Sequence, residues 1–172
     1  MQLSPAEQAA MVLDGEAIRL GDSIVSVATA IAVDHRIGAL PFAPEQHVTL
    51  SHSLAAWLHG LGAYPRWLDM IVQDHQRHGI PRDARVRVRR HRLDLAEDTE
   101  VRSGVRLTSP LRTALHLITD HECDREALTS AMLLAGGPDV LLDALRCAPR
   151  LQPLIRERGL SRLRSGQPLV TL

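Results

Sequence analysis

Short apolar runs of strand length occur at four places in the middle of the chain, near residues 48, 68, 86 and 105. Polar residues, glycines or prolines bound each run, which is typical of strands in a small sheet. Beyond residue 110 the apolar positions recur at helical spacing instead, as in Leu111, Leu115 and Ile118. The pattern predicts an α+β fold, with a small mixed β-sheet packed with helices and a helical C-terminal third.

The first forty residues predict a helix followed by a hairpin. Ser4–Glu7 matches a capping box with proline at the first helical position, and the helix ends before Gly15. Two short strands, at 17–20 and 24–27, follow around Gly21-Asp22, which is a two-residue turn signal. A helix and a hairpin in this order are typical of the second half of a winged helix.

The run near residue 48 begins a segment with the order strand, polar turn and helix. His47–Leu50 predicts the strand, and either Ser51 or Ser53 is placed to cap the helix. The helix then ends at Gly60 or Gly62, because glycine readily adopts the left-handed conformation that closes a helix.

The run near residue 105 begins a second segment with the same order. Gly104–Leu107 predicts the strand, Ser109 the N-cap and Pro110 the first helical position, where a missing N–H costs nothing. Arg112 and Thr113 lie in the first turn of that helix. A cation is unusual there, because the helix N-terminus carries partial positive charge, unless it has a fixed anionic partner.

Together, these two segments resemble the central domain of AbiEi-type antitoxins from bacterial toxin–antitoxin systems. In that family, a strand followed by Ser-His, Ala-Ala and Leu-His-Gly-Leu precedes a later element with Thr-Ser-Pro-x-Arg-Thr. The matching residues are Ser51, His52, Ala55, Ala56, Leu58, His59, Gly60, Leu61, Gly104, Thr108, Ser109, Pro110, Arg112 and Thr113. The resemblance covers residues 1–135.

The resemblance implies a non-enzymatic regulator that neutralises a nucleotidyltransferase-like toxin and, when its winged helix is whole, represses its own promoter. It divides the chain into a partial winged-helix-like segment, 1–40, and an AbiEi-like antitoxin domain with a helical C-terminal part, 41–172. The segment is expected to be truncated, because the preceding helices of a winged helix are missing. The expected partners are the cognate toxin and promoter DNA.

The turn before the second helix is the predicted binding site for a partner or an anion. A capped helix N-terminus with an arginine is chemically suited to an anion, which points to Thr108, Ser109, Arg112 and Thr113. His52 lies beside the N-terminus of the other helix. Two interpretations of His52 stay open: a ligand-binding side chain, or a buried neutral imidazole that donates to the backbone.

A second candidate surface is the basic strand near residue 86. Val86 and Val88 alternate with arginines, which predicts a half-buried strand with a cationic outer face. The arginines of this basic surface are Arg85, Arg87, Arg89, Arg90 and Arg92. Three roles remain open: an edge strand protected by charge against aggregation, a phosphate-backbone contact, or a docking surface for an acidic protein.

The charge of the chain leaves two further functions open. The net charge is zero, so there is no global signature of nucleic-acid binding. The first helix carries Glu7, Gln8 and Asp14 but no arginine, which disfavours sequence-specific reading of DNA by that helix. A transcriptional regulator that binds DNA through other basic surfaces is the alternative function, and a degenerate stand-alone domain is the third.

No motif of an enzyme is present, and no cofactor is predicted. All 20 basic residues are arginines, so mechanisms that need a catalytic lysine are excluded. His75, His78 and His91 lack further ligands at metal-binding spacing, and no metal site is predicted. His116 and Asp120, four residues apart, are interpreted as a surface pair. The two cysteines do not suggest a disulfide framework, and a cytoplasmic protein without a membrane segment is expected.

Overall fold

The computed structural model describes residues 4–20, 23–26, 33–45, 47–72, 85–148 and 151–166. The N-terminal elements are α1 (Pro5–Leu13), β1 (Ala17–Leu20), β2 (Ser23–Ser26) and α2 (Val33–Gly38). The central elements are β3 (Val48–Leu50), α3 (His52–Leu58), β4 (Leu68–Val72), β5 (Val86–Arg89), β6 (Thr99–Arg102) and β7 (Val105–Thr108). Four helices follow: α4 (Pro110–Thr119), α5 (Arg125–Ala135), α6 (Pro138–Cys147) and α7 (Pro153–Gly166).

A five-stranded mixed sheet lies at the centre, in the order β5-β4-β3-β7-β6. The central strand β3 is parallel to β7 and antiparallel to β4, whereas β4 and β5 are parallel. The four strands predicted in the middle of the chain all belong to this sheet, and the α+β prediction is confirmed. Strand β6 was not predicted. It joins β7 through Ser103 and Gly104, whose positive φ angles of 45° and 77° suit a tight two-residue hairpin turn.

The two faces of the sheet differ in chemistry. Alternate residues of the strands form an apolar face that packs against α3 and against residues of the N-terminal segment. The main members of this core are Val48, Leu50, Leu54, Trp57, Leu58, Leu68, Met70, Val105 and Leu107. The opposite face carries Thr49, Asp69, Arg87, Arg89 and Thr108, since side chains alternate along each strand. A polar cluster is therefore built into the middle of the fold.

The N-terminal segment has the elements expected from its sequence. Ser4 and Glu7 form the capping box, with Ser4 Oγ accepting from the Glu7 N–H and the Glu7 carboxylate accepting from the Ser4 N–H. Strands β1 and β2 pair as an antiparallel hairpin. The predicted turn at Gly21-Asp22 lies outside the described residues. The assignment of this segment to a winged helix stays a prediction.

The four C-terminal helices form a second core around α4. Its main buried members are Ala114, Leu117, Ile118, Ala131, Leu141, Leu145 and Leu163, together with Ala56 from α3. Helix α7 contributes Gly159 and Leu163, which are four residues apart and share one face. Leu154 of the same helix is 82 % exposed. It precedes Leu163 by nine positions, which is two and a half turns and therefore the opposite side of the helix.

No single helix among the described residues has the length and apolarity to cross a membrane. Helices α5 and α6 reach that length and apolarity only when taken together, and they are bent by 86° relative to each other.

Candidate functional site

The two segments that carry the family resemblance lie side by side in the fold. Strands β3 and β7 are neighbours in parallel, so Leu50 pairs with Leu107, and the helices that follow them start at the same edge of the sheet. A side chain connects the segments directly: His59 Nε2 donates to the carbonyl oxygen of Thr108 at 2.9 Å. Residues 49 positions apart in sequence are therefore parts of one unit.

Two of the predicted site residues, Thr108 and Thr113, are buried and bonded to each other. Thr113 Oγ1 donates to the Thr108 carbonyl oxygen at 3.1 Å, and the two hydroxyl oxygens are 2.6 Å apart. Ser109 is half-buried and caps α4, as predicted, by accepting from the Arg112 N–H at 3.4 Å. These groups connect the end of β7 to α4.

Arg112 does have the fixed anionic partner that its unusual position requires. Its Nη1 atom is 3.9 Å from Asp98 Oδ1, its Nη2 donates to the Arg92 carbonyl oxygen at 3.4 Å, and its side chain is only 9 % exposed. Its Nε–H donates to His116 Nε2 at 3.0 Å. The guanidinium group is therefore directed into the protein, where it holds neighbouring segments together.

The connection between β5 and β6 explains why Arg112 is buried. These strands lie at opposite edges of the sheet, so residues 90–98 must join one edge to the other. The connection passes along α4, where Arg112 binds the backbone of Arg92 and where the His91 ring lies against His116.

Three histidines from separate elements meet in this region. His52 comes from the start of α3, His91 from the connection and His116 from α4. The ring centroids of His52 and His116 are 4.6 Å apart and nearly parallel, and His91 lies 5.3 Å and 4.6 Å from them. The structure brings together residues 52, 91 and 116, which sequence spacing did not connect.

Burial keeps these imidazoles neutral. It lowers the pKa of His52 to about 3, with further contributions from His91 and from the positive charge of Arg89. Burial also lowers the pKa of His91, followed by the charges of Arg112 and Arg89. The pKa of His116 is lowered by burial first and then by His52 and Arg112. At neutral pH the three rings are therefore uncharged.

Burial favours the interpretation of His52 as a neutral imidazole, but its hydrogen-bond partner is a side chain and not the backbone that was expected. Its Nδ1 atom lies 3.0 Å from Ser51 Oγ, and its Nε2 atom lies 3.8 Å from Asp120 Oδ2. His52 has φ of 51°, a left-handed conformation that is uncommon for a residue other than glycine. His116 accepts from Arg112 at Nε2, and its buried Nδ1 has no hydrogen-bond partner. His116 and Asp120 are not the surface pair that the sequence suggested, because His116 is buried and Asp120 approaches His52 instead.

The basic strand does not present the cationic outer face predicted for it. Arg87 Nε and Nη2 both donate to the carboxylate of Asp69 at 3.2 Å, and Arg89 Nε donates to the same carboxylate at 2.8 Å. Asp69 is 1 % exposed. The exposed side chain of this strand is Val88, at 45 %. Val86 packs against the apolar core as expected, but the prediction of a cationic outer face was wrong, because Asp69 is the register partner of Arg87 and pairs with both arginines on the opposite face.

Two more carboxylates complete the arginine network. Arg89 Nη2 donates to Asp120 Oδ2 and Arg87 Nη1 donates to Glu122 Oε2, each at 2.9 Å. Of the other arginines of the basic surface, Arg90 and Arg92 are exposed, and Arg85 is half-buried and has other interactions. Strand β5 lies at the edge of the sheet, which agrees with its interpretation as an edge strand protected by charge against aggregation.

Sequence reasoning missed the acidic members of the cluster. Asp69 carried a usable signal, since it is a lone acid inside the apolar run of β4, and such a residue needs a buried partner. Asp98 and Asp120 carried no such signal in the sequence, because their roles depend on where the β5–β6 connection and α4 lie in the fold. Among the described residues no three histidine, cysteine or acidic side chains are arranged to hold a metal ion; His75 and His78 lie outside these residues.

Fold and cluster together define an α+β domain whose central polar residues are mostly buried and paired with one another. Comparison with models of known protein families, and with curated protein sequences, gave no match.

Proposed function

We propose that the protein is an antitoxin-like, non-enzymatic regulator that neutralises a nucleotidyltransferase-like toxin. The proposal rests on the resemblance of two sequence segments to AbiEi-type antitoxins. Its main support is the contact between those segments: β3 and β7 pair in parallel, and His59 binds the Thr108 carbonyl oxygen. Two motifs that match one family in order and separation are expected to form a single unit, and here they do.

The burial of the cluster favours a structural role for its side chains rather than a catalytic one. A general base or nucleophile must reach a substrate. His52 and His116 are buried, and the hydroxyl groups of Thr108 and Thr113 are bonded inside the fold. These side chains stabilise the arrangement of β3, β7 and the helices that follow them.

The geometry gives less support to the alternative of a DNA-binding regulator. Phosphate binding needs accessible cations. Arg87 and Arg89 are paired with Asp69, Asp120 and Glu122. This pairing reduces the positive potential that the strand can offer to a phosphate backbone.

A rescue assay tests the proposal. The neighbouring reading frame of the native locus is expressed in bacteria under an inducible promoter, alone and together with this protein. We expect the neighbour to stop growth and this protein to restore it, with toxin levels followed by immunoblot. A harmless neighbour, or toxicity that is unchanged although both proteins accumulate, would make the antitoxin role wrong.

Two variants with the same chemical change, one at a buried and one at an exposed aspartate, distinguish rescue by the folded protein from an effect of overexpression. Asp69→Asn removes the charge that holds Arg87 and Arg89, and we expect it to lose rescue as the fold weakens. Asp143→Asn removes one charge from an exposed site on α6 and is expected to rescue like the unchanged protein. Binding of promoter DNA that falls steeply with salt, without rescue, would favour the regulator instead.

A further inference from the structure

A pocket of about 300 Å³ opens beside the arginine network. It lies between the loop that follows α3, the end of α4 and the start of α5. Its apolar wall includes Ala56, Leu61, Leu117 and Ala127, and its aromatic wall Tyr64 and Trp67. A pocket of this size is at the lower end of the range for ligand sites, so it suits a small molecule or one long side chain.

The charged residues that line the pocket are mainly acidic. Five carboxylates, Asp69, Asp120, Glu122, Asp124 and Glu126, face two guanidinium groups, Arg66 and Arg87. The carboxylates extend from the rim, where Glu122 is 51 % exposed, to the buried Asp69. Arg87 and Arg89 compensate the charges of Asp69, Asp120 and Glu122. The excess negative charge therefore lies at the rim, where it attracts a cation and repels anions.

The protein already binds one guanidinium group in this pocket. Arg87 lies 5.1 Å from the ring centroid of Trp67 while it donates to both Asp69 and Glu122. Stacking on an aromatic ring combined with forked hydrogen bonds to carboxylates is the recognition mode specific to arginine. Arg66 lies over the same ring at 5.2 Å.

Two carboxylates of the pocket keep their charge unpaired. Asp124 accepts from the Ala127 N–H, and Glu126 accepts from the Ala63 N–H at 3.2 Å. Within the part of the chain that the structure describes, no arginine or histidine pairs with either one. Both side chains are exposed at the rim and retain free acceptor positions.

We propose that this pocket binds a guanidinium group carried on an alkyl chain, as in the side chain of arginine. The alkyl chain packs on the apolar and aromatic walls, and the guanidinium group donates to Asp124 and Glu126. The inference concerns the pocket alone and does not depend on the proposed antitoxin role.

Titration with small probes tests the inference on the full chain. The probes are blocked arginine (N-acetyl, C-methylamide), agmatine and blocked citrulline, a neutral analogue of nearly the same shape. The readout is the indole N–H signal of Trp67 in a ¹H–¹⁵N spectrum. We expect the signal to move with blocked arginine or agmatine and not with citrulline, and the shift to weaken between about 0.05 and 0.5 M salt.

A variant with two substitutions at the rim of the pocket tests the role of the carboxylates there. Asp124→Asn keeps an N-cap, and Glu126→Gln keeps an acceptor for Ala63, so both preserve local structure. Together they should weaken binding of the guanidinium probe by about threefold to tenfold. The control is the pair Asp139→Asn and Asp143→Asn, which removes two exposed charges from α6 and should leave binding unchanged.

The relative affinities of the two guanidinium probes indicate the source of the ligand. Tighter binding of blocked arginine indicates an arginine presented by a protein, and tighter binding of agmatine indicates a free small molecule. An equal response to citrulline, no response to any probe, or unchanged binding in the rim variant would overturn the proposal. None of these results depends on whether the protein restores the growth of cells that express the toxin.

Discussion

At the scale of single residues, one buried carboxylate organises the polar cluster. Asp69 accepts hydrogen bonds from Arg87 and Arg89, and those arginines extend the network to Glu122 and Asp120. A buried ion pair is costly to form, but once formed it cannot lose one partner without leaving a charge uncompensated. The contribution of Asp69 is therefore best measured by removing its charge.

We predict that Asp69→Asn lowers the free energy of unfolding by about 2–4 kcal/mol. The substitution keeps the volume of the side chain and leaves Arg87 and Arg89 next to a neutral amide. The loss should stay below the cost of a fully buried unpaired charge, because water reaches part of both arginines, whose side chains are 26 % and 20 % exposed. Urea unfolding followed by circular dichroism measures the change.

Glu122→Gln is the control for Asp69→Asn. It removes the other carboxylate that binds Arg87, but at an exposed site. An exposed ion pair contributes less than about 1 kcal/mol. Equal losses for the two variants would show that burial of Asp69 does not determine the strength of the network.

At the scale of elements, α4 is stabilised at both ends by side chains. Ser109 caps its start, and Arg162 of α7 reaches its end. Arg162 donates to the carbonyl oxygens of Ile118 and His121 at 2.9 and 3.1 Å, and also to that of Asp120. The last carbonyl groups of a helix lack partners within the helix, and a cation there also opposes the negative end of the helix dipole.

We predict that Arg162→Met lowers the free energy of unfolding by about 1–3 kcal/mol. Methionine keeps the apolar part of the side chain and removes the donors to the end of α4. Arg164→Met, two residues further on the exposed side of α7, serves as the control and should change stability by less than about 0.5 kcal/mol. Thermal unfolding of both variants is the measurement, and a smaller loss for Arg162→Met than for Arg164→Met would contradict the capping role.

Helix ends were predictable from sequence, and the faces of strands were not. Ser109-Pro110, Asp124 and Gly136 signal a start or an end within a few residues, and the structure places α4 and α5 where they indicate. The buried side of β5 depends on the strand beside it. Alternation alone shows two faces, and the apolar face was taken to be the covered one. Val86 does pack on the apolar core, but Asp69 in the neighbouring strand pairs with the arginines, so the other face is covered as well.

The candidate site, too, was predictable from the sequence only in its local parts. The two strand–turn–helix segments were found from local patterns, including the cap and the arginine of the second one. The contact between the two segments, however, depends on the parallel pairing of β3 with β7, and the contacts of His91 and Arg112 depend on a connection that crosses from one edge of the sheet to the other. The histidine trio is a product of that topology, because His52, His91 and His116 share no spacing in sequence that signals a contact.

At the scale of the whole molecule, the fold keeps three imidazoles neutral that water would protonate below neutral pH. Burial is the first cause for each, and nearby arginines add to it. Asp120 acts in the opposite direction on His52 and His91, but its effect is smaller than that of burial. The cluster therefore makes stability depend on pH.

We predict that the free energy of unfolding falls as pH decreases from about 8 to 5. In the unfolded chain a histidine has a pKa of about 6.5, whereas in the folded protein the pKa of His52 is about 3. Between these values the unfolded state binds protons that the folded state excludes, so acid favours unfolding, with a slope of up to about 1.4 kcal/mol per pH unit for each such histidine. The stabilisation is complete above the unfolded pKa and is lost as pH falls toward the folded one. Urea unfolding at several pH values measures the slope, and His52→Asn should flatten it, since asparagine tolerates the positive φ at this position and does not titrate. A wild-type stability that is constant or rises toward pH 5 would contradict the prediction.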